Sequence, residues 1–494
     1  MTARKSFVII NIISNFFLQF VTILSGFIVP RIILSLFGSE VNGLIGSLTQ
    51  FLGYINLVEG GVGGVIVASL YRPLVEKDNK KLSAIIVTAQ NFYRKLGLIL
   101  IGYSVILAVL YPLLSNSSFS FEYASSMTII IAFQMFLQYV FAIPYQQLLK
   151  SDKKVYIVSL VQSLTVILNL LIFIIVSKVF PNIHILKLLA GLVFVVQPIL
   201  LRLLSKKYYH LDKKAKEDKT LLDSKWDGFA INIAYFIHTG TDITILTIFT
   251  NLVTVSVYTV HAIVTNGIRK ILQAISTAVS PNIGQLYAKG DKKVLNEKFN
   301  MVEFVYFAIT SGLLTIAGLL ITPFVLLYTG GVTDADYNQP VFAIILIVAE
   351  FLYCIREPYF NLAQAAGRFK DMKFHAYVEA GINLFFSIVL VNYIGLVGVA
   401  IGTLLGNAYR TLYHVLYLED HILYRSPKIF FKKFFVFGFA SMFSVFVCVF
   451  FFPMHEGVRL FLTNALLYVA VTAFFYLIAS AVFFRKELRG LKLL

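Results

Sequence analysis

Long apolar runs, repeated along the whole chain, are the sequence feature that most restricts its fold. Fourteen such runs follow one another between charged or turn residues, and a helix needs about 20 apolar residues to cross a bilayer. The composition agrees, because 58% of the residues are hydrophobic and 14% charged, against about 25% charged in soluble proteins. We predict an all-α polytopic membrane protein. The longest polar segment, residues 205–225, is too short for a catalytic domain, so we do not expect an enzyme.

The connections between the predicted spans alternate between weakly and strongly basic. The spans lie at residues 7–36, 42–70, 84–114, 123–148, 155–177, 185–204, 227–249, 254–287, 299–328, 340–366, 374–393, 396–418, 430–453 and 458–484. Most of the 42 Lys and Arg residues fall in the even-numbered connections and at the two ends. Because basic residues near span ends are retained in the cytoplasm, both termini are predicted to be cytoplasmic.

The net charge of +17 therefore follows from topology and from attraction to anionic lipid headgroups, without a nucleic-acid partner. The two cysteines, Cys354 and Cys448, both lie in apolar runs, which leaves neither a disulfide framework nor a cysteine metal site. The first span is too long for a signal-peptide core and is expected to be retained. The chain has no phosphate-binding loop, so ATP is not expected to be the direct fuel.

Several local patterns recur at an offset of six spans. Lys77-Asp-Asn-Lys-Lys after span 2 matches Lys289-Gly-Asp-Lys-Lys after span 8, and Pro144-Tyr145 in span 4 matches Pro358-Tyr359 in span 10. An asparagine follows each proline in the next span, at Asn169 and Asn383. An even offset gives both halves the same orientation, which is the parallel-repeat design of many transporters.

The repeat predicts two six-helix lobes related by a pseudo-twofold axis, plus two C-terminal helices. The predicted boundaries are an N-terminal lobe at 1–204, a cytoplasmic linker at 205–226, a C-terminal lobe at 227–418 and the additional helices at 419–494. Two facing lobes leave a cleft between them, which is the geometry of alternating access.

Five cations within or at the ends of predicted spans are candidates for binding an anionic substrate: Arg269, Lys270, Arg356, Arg31 and Arg410. Charged residues at membrane depth are costly and face protein or a watery cavity. The guanidinium of Arg269 suits the oxygens of a diphosphate. The alternative for Arg269 is an ion pair, although the adjacent Lys270 makes two cations that one carboxylate would not neutralise. We expect Arg356 to pair with Glu357, and Arg31 and Arg410 to reach the membrane interfaces.

Four carboxylates are candidates for an ion-coupling site: Glu59, Asp242, Glu350 and Glu357. Glu59 and Asp242 are favoured because a buried carboxylate can cycle with protonation. His238 and His261 could relay protons, but a lone helical histidine is more often a packing residue. The sequence does not distinguish coupling to a proton, to Na⁺ or to the membrane potential, and it predicts no bound cofactor or metal.

The whole chain resembles the bacterial polysaccharide flippases of the Wzx type. The residues that carry the resemblance are the aromatic, Asn-containing first helix with Asn11 and Asn15, the sequence Val29-Pro30-Arg31, and Leu-Leu-Lys-Ser-Asp-Lys-Lys at 148–154. These flippases belong to the multidrug/oligosaccharidyl-lipid/polysaccharide exporter superfamily, here MOP, with the lipid II flippases and the multidrug and toxic compound extruders (MATE).

The resemblance implies a MATE-like fold in the bacterial plasma membrane and a function in capsule or other surface polysaccharide synthesis. The substrate would be an undecaprenyl-diphosphate-linked oligosaccharide, moved from the inner to the outer leaflet. Implied partners are this lipid-linked substrate, membrane lipids, and the polysaccharide polymerase and chain-length machinery.

Two other functions stay open at this point. An ion-coupled extruder of cationic drugs would have the same fold but prefers a cavity rich in carboxylates. A membrane-embedded polysaccharide polymerase would need a sizeable outer loop, whereas the longest predicted one, residues 329–339, is short.

Overall fold

Nearly all of the described part of the chain is helical. The computed structural model describes residues 2–59, 62–212, 214–218, 240–454 and 457–491. The helices are α1 (Thr2–Gly53), α2 (Ile55–Glu59), α3 (Val62–Glu76), α4 (Asn79–Leu114), α5 (Phe121–Leu137), α6 (Ile143–Ser151), α7 (Val155–Val179), α8 (Ile183–Leu192), α9 (Val196–Tyr208), α10 (Gly240–Phe249), α11 (Leu252–Ala288), α12 (Lys292–Tyr328), α13 (Pro340–Ile355), α14 (Glu357–Ala365), α15 (Phe369–Leu418), α16 (Lys428–Phe451), α17 (Val458–Phe483) and α18 (Arg485–Leu491).

The prediction of an all-α membrane protein is confirmed. Within the described residues, nine helical segments are long and apolar enough to span a bilayer. Several are much longer than the roughly 20 residues that a bilayer requires, such as α4 with 36 residues and α12 with 37.

The chain forms two compact units, Met1–Ser256 and Val257–Leu494. The domain boundaries inferred from the sequence stay predictions. Residues 219–239, which include the end of the predicted linker and the start of the predicted span at 227–249, lie outside the described residues.

Helix interruptions fall both between and within the predicted spans. Gly38, in the predicted connection between the first two spans, adopts a positive φ of 83° inside α1, a conformation that glycine allows. The span predicted over 42–70 contains a turn at Tyr54, and its residues 60 and 61 lie outside the described residues. By contrast, the predicted break between the spans 374–393 and 396–418 coincides with non-helical Ile394 and Gly395 inside α15.

The recurring sequence patterns have matching local structures in the two units. Asp78 caps α4 by accepting hydrogen bonds from the backbone N–H groups of the residues two and three positions later. Asp291 caps α12 in the same way. These N-caps satisfy amide groups that a helix end leaves without partners.

The matching prolines and asparagines behave alike as well. Pro144 follows a π-helical turn at Gln138–Ala142, and Pro358 follows the turn that separates α13 from α14. Asn169 donates to the carbonyl of Ala190 at 2.9 Å, and Asn383 donates to Thr403 Oγ1 at 2.9 Å, so each joins two consecutive predicted spans. These shared details support the internal duplication.

Polar contacts join the C-terminal helices α16 and α17 to α12 within the second unit. Thr315 of α12 donates to the hydroxyl of Ser441 in α16 at 2.9 Å, and Ser441 lies 2.6 Å from the hydroxyl of Tyr476 in α17. Buried aromatic rings surround these contacts, with Phe307 and Phe437 stacked at 6.3 Å between centroids. The two predicted additional spans thus pack directly on α12.

Candidate functional site

An arginine and a glutamate form an ion pair deep in the second unit. Arg269 lies near the middle of α11, where its Nε donates to Glu350 Oε1 at 2.8 Å and its Nη2 donates to Glu350 Oε2. The side chain of Glu350 is 3% exposed, and that of Arg269 is 26% exposed. A buried carboxylate therefore holds an arginine that remains partly accessible.

Tyr353 connects this pair to a second group of charges. The guanidinium carbons of Arg269 and Arg356 lie 4.6 Å and 4.7 Å from the centroid of its ring, within cation–π range. Arg356 donates to Glu379 at 2.7 Å, and Arg410 Nε lies 3.9 Å from the other carboxylate oxygen of Glu379. We refer to Arg269, Glu350, Tyr353, Arg356, Glu379 and Arg410 as the arginine cluster.

The arginine cluster carries more positive than negative charge. It contains three arginines and two glutamates. Lys270, next to Arg269 in α11, is exposed, and Glu357 is the nearest additional carboxylate along the chain. Glu357 accepts a hydrogen bond from Ser276 at 3.3 Å. Counting Lys270 and Glu357 as well, there are four cations and three carboxylates.

The structure corrects two predictions about these residues. The predicted ion pair between Arg356 and Glu357 is wrong, since Arg356 pairs with Glu379. Arg356 lies in the turn between α13 and α14, and Glu357 begins α14. The prediction that Arg410 reaches the membrane interface is also wrong, because its side chain is 7% exposed beside Glu379. Arg31 is half-buried in α1, and its role stays a prediction.

Glu59 lies in a smaller polar group of the first unit. Tyr93 of α4 donates to Glu59 at 2.7 Å and accepts a hydrogen bond from Gln147 of α6 at 2.9 Å. Gly63 leaves room for this group, since a Cβ there would lie 3.0 Å from the Gln147 amide and 3.3 Å from the Glu59 carboxylate. Three helices therefore hold one half-buried carboxylate.

The other candidates differ in their surroundings. Asp242 is 6% exposed in α10. His261 is buried, with Nδ1 2.8 Å from the carbonyl of Val257 and its ring edge against Phe342, so it packs as expected of a lone histidine. His238 lies outside the described residues. Among the residues that the structure does describe, no group of three or more His, Cys, Asp or Glu side chains could hold a metal ion.

Sequence reasoning missed a second buried charge cluster, which we call the Glu303 cluster. Its members are Glu303, Tyr359, Glu419, Arg425 and Lys433, all less than 9% exposed. Lys433 donates to Glu303 at 2.7 Å and Arg425 donates to Glu303 at 2.6 Å. Arg425 also donates to both oxygens of Glu419. Two cations face two carboxylates, so this cluster is neutral.

A third polar group orders the segment 148–154 of the first unit. Asp152 accepts hydrogen bonds from Lys154 Nζ and from the hydroxyl of Tyr209, the latter at 2.5 Å. Burial, together with the hydrogen bond to Asp152, raises the pKa of Tyr209. Asn11 of α1 donates to the backbone carbonyl of Lys153 at 2.8 Å. These contacts join α1 to the connection between α6 and α7.

Comparison with known proteins gives structural matches only. No family model matches the sequence, and no curated protein matches it. A lipid II flippase MurJ in an inward closed conformation matches with a TM-score of 0.72 and 14% identity, over 97% of this chain and 100% of that chain. An inward-facing multidrug resistance MATE transporter of the MOP superfamily matches with a TM-score of 0.65 and 17% identity, over 80% of this chain and 93% of that chain. A MOP superfamily transporter from Pyrococcus furiosus matches with a TM-score of 0.58 and 16% identity, over 85% of this chain and 97% of that chain.

The chain has the fold of MOP superfamily transporters. This confirms the MATE-like, multi-pass architecture inferred from the sequence. The matched proteins share at most 17% identity with the chain, so the likeness extends to the fold and not to the substrate.

Proposed function

We propose that this protein is a flippase that moves an oligosaccharide linked to a polyprenyl diphosphate from the inner to the outer leaflet of a bacterial plasma membrane. The observation that carries the proposal is the surplus positive charge of the arginine cluster. A buried charge that is not fully neutralised is costly. A bound diphosphate would supply the missing negative charge.

Arg269 is the residue best placed to meet such a ligand. Its side chain is 26% exposed, whereas those of Arg356 and Arg410 are 10% and 7% exposed. Its planar guanidinium can donate to two phosphate oxygens at once, and the exposed Lys270 beside it adds a point charge. Arg356 and Arg410 would support the site from behind, through Tyr353 and Glu379.

The structural matches are consistent with a lipid-linked substrate. The matched lipid II flippase covers 97% of this chain, including the two C-terminal helices α16 and α17. The MATE transporter covers 80%. We extend the flippase activity to this chain as part of the proposal, together with a role in capsule or other surface polysaccharide synthesis and partners in polymerisation and chain-length control.

An extruder of cationic drugs is the second candidate, because Glu59 gives the first unit a half-buried carboxylate. In the flippase proposal, Glu59 and Asp242 instead couple transport to a proton or Na⁺. Drug susceptibility of a deletion strain separates the two functions. Increased susceptibility to cationic drugs with normal surface polysaccharide would favour the extruder.

The direct test removes the accessible cation without leaving a buried charge unpaired. The double variant Arg269→Gln/Glu350→Gln replaces the ion pair with two neutral amides, which keeps the local charge balance and allows folding. Since hydrogen bonds to charged groups contribute about 1.5–3 kcal/mol, export of surface polysaccharide should fall at least about tenfold.

The matched control is Arg72→Ala, since Arg72 is 83% exposed in a pair with Glu76. It should leave export unchanged. If the double variant exports polysaccharide at the wild-type level, with an equal amount of protein in the membrane, Arg269 is not part of the substrate site. The proposal then loses its main support.

A further inference from the structure

We propose that Glu350 competes with the substrate diphosphate for Arg269, so that the carboxylate and the ligand alternate on the same guanidinium. This inference rests on the proposed function and concerns how its binding site is regulated. Glu350 already makes the contact that one phosphate group of a diphosphate would make, with two oxygens facing Nε and Nη2 of Arg269.

The exposures of the two partners show how the exchange could occur. Glu350 is 3% exposed and Arg269 is 26% exposed, so a ligand reaches the arginine and not the carboxylate. The same two N–H groups cannot serve both anions with full geometry. In the proposed exchange the diphosphate takes this same pair of donors, Nε and Nη2, so the guanidinium turns away from Glu350 when the ligand binds and returns when it leaves.

Tyr353 keeps Arg269 near its place during such an exchange. The ring contacts the guanidiniums of both Arg269 and Arg356, and a cation–π contact does not depend on which anion the cation holds. Arg356 is fixed by its own hydrogen bond to the buried Glu379. Of the three arginines in the cluster, Arg269 is thus the one suited to exchange.

A competing carboxylate weakens the apparent affinity for the ligand. The apparent dissociation constant rises in inverse proportion to the fraction of protein in which Arg269 is free of Glu350. From the usual strength of hydrogen bonds to charged groups, the weakening is about 10- to 100-fold. Such a site can release a doubly charged headgroup that it would otherwise hold too tightly.

The test is the binding of inorganic pyrophosphate to the purified full-length protein in detergent, measured by isothermal titration calorimetry without divalent cations. Glu350→Gln should bind pyrophosphate about 10-fold more tightly than wild type, or more. Glu350→Asp keeps the charge but shortens the side chain and should give a smaller gain, which covers the case in which the glutamine variant fails to fold. Glu297→Gln removes the same charge from an exposed position on α12, outside the arginine cluster, so the affinity of this variant should change less than about twofold.

The gain must depend on Arg269. Arg269→Ala/Glu350→Gln should bind pyrophosphate no more tightly than Arg269→Ala. An unchanged or weaker affinity in folded Glu350→Gln overturns the inference, as does an equal gain in Glu297→Gln. If export depends on Arg269 but Glu350→Gln does not bind pyrophosphate more tightly, the proposed competition of Glu350 for Arg269 is wrong and the proposed flippase function is unaffected. If Glu350→Gln binds pyrophosphate more tightly but the protein moves no lipid-linked sugar, the proposed flippase function is wrong and the competition of Glu350 for Arg269 is unaffected.

Discussion

Breaking the Glu303 cluster should destabilise the protein more than most single substitutions. Glu303 is fully buried in α12 and accepts hydrogen bonds from Lys433, Arg425 and Tyr359. Glu303→Gln keeps the shape of the side chain but removes its charge. The cluster then holds two cations and one carboxylate, Glu419, and one buried positive charge is uncompensated.

The expected cost follows from that imbalance. Removing one partner of a buried ion pair costs about 3–5 kcal/mol, a large part of the 5–15 kcal/mol that separates typical folded and unfolded states. Replacing both partners with apolar side chains of similar length restores neutrality. Glu303→Met/Lys433→Met leaves the pair of Arg425 and Glu419, so its stability should lie within about 2 kcal/mol of wild type.

The assay measures the melting temperature of the purified protein in detergent. Samples are heated, and the folded protein that remains is quantified by size-exclusion chromatography. Glu303→Gln and Lys433→Met should each lower the melting temperature strongly, and the double variant should recover most of the loss. Glu297→Gln is the matched control, because Glu297 is exposed on the same helix and its replacement should cost less than about 0.5 kcal/mol.

Two results would contradict this reasoning. The first is a Glu303→Gln variant as stable as wild type, which would mean that water or relaxation compensates the charge. The second is a double variant no more stable than the single variants, which would mean that packing and not charge determines the loss. The coupling energy from wild type, Glu303→Met, Lys433→Met and the double variant Glu303→Met/Lys433→Met separates these effects.

Two further substitutions in the first unit test close contacts. Gly43→Ala should lower the melting temperature by the equivalent of about 1–3 kcal/mol or more, because a Cβ there would overlap the backbone carbonyl of Leu252. Gly26→Ala is the control: nothing lies within 4 Å of the added carbon, so this variant should keep the wild-type melting temperature. Tyr93→Phe should cost about 1–3 kcal/mol by leaving Glu59 without its 2.7 Å hydrogen bond. An unchanged melting curve would show that a water molecule or another side chain replaces the hydroxyl.

The helices were more predictable from the sequence than their interruptions. Hydropathy identifies a run that can cross a bilayer, because that property depends on composition along the run. It predicts one span over 42–70, yet the structure turns at Tyr54 within that range. The glycines around this position lower helix stability, but whether a helix then breaks depends on neighbouring helices that hydropathy does not describe.

For the charged residues as well, the sequence predicts the position along a helix but not the ion-pair partner. The sequence indicates that Arg269 and Glu350 lie at membrane depth, but they are 81 residues apart and nothing local pairs them. The partner of Arg356 is 23 residues away in Glu379, while the adjacent Glu357 points elsewhere. Depth depends on position along one helix, whereas pairing depends on the direction in which two helices face each other.

The two buried clusters of the second unit contain the same kinds of residue and differ in two properties. The Glu303 cluster is neutral and its members are less than 9% exposed, so it has no charge left for a ligand and no surface through which one could enter. The arginine cluster has a surplus cation, and its Arg269 is 26% exposed. We therefore assign a structural role to the Glu303 cluster, and in the proposed function the arginine cluster binds the substrate.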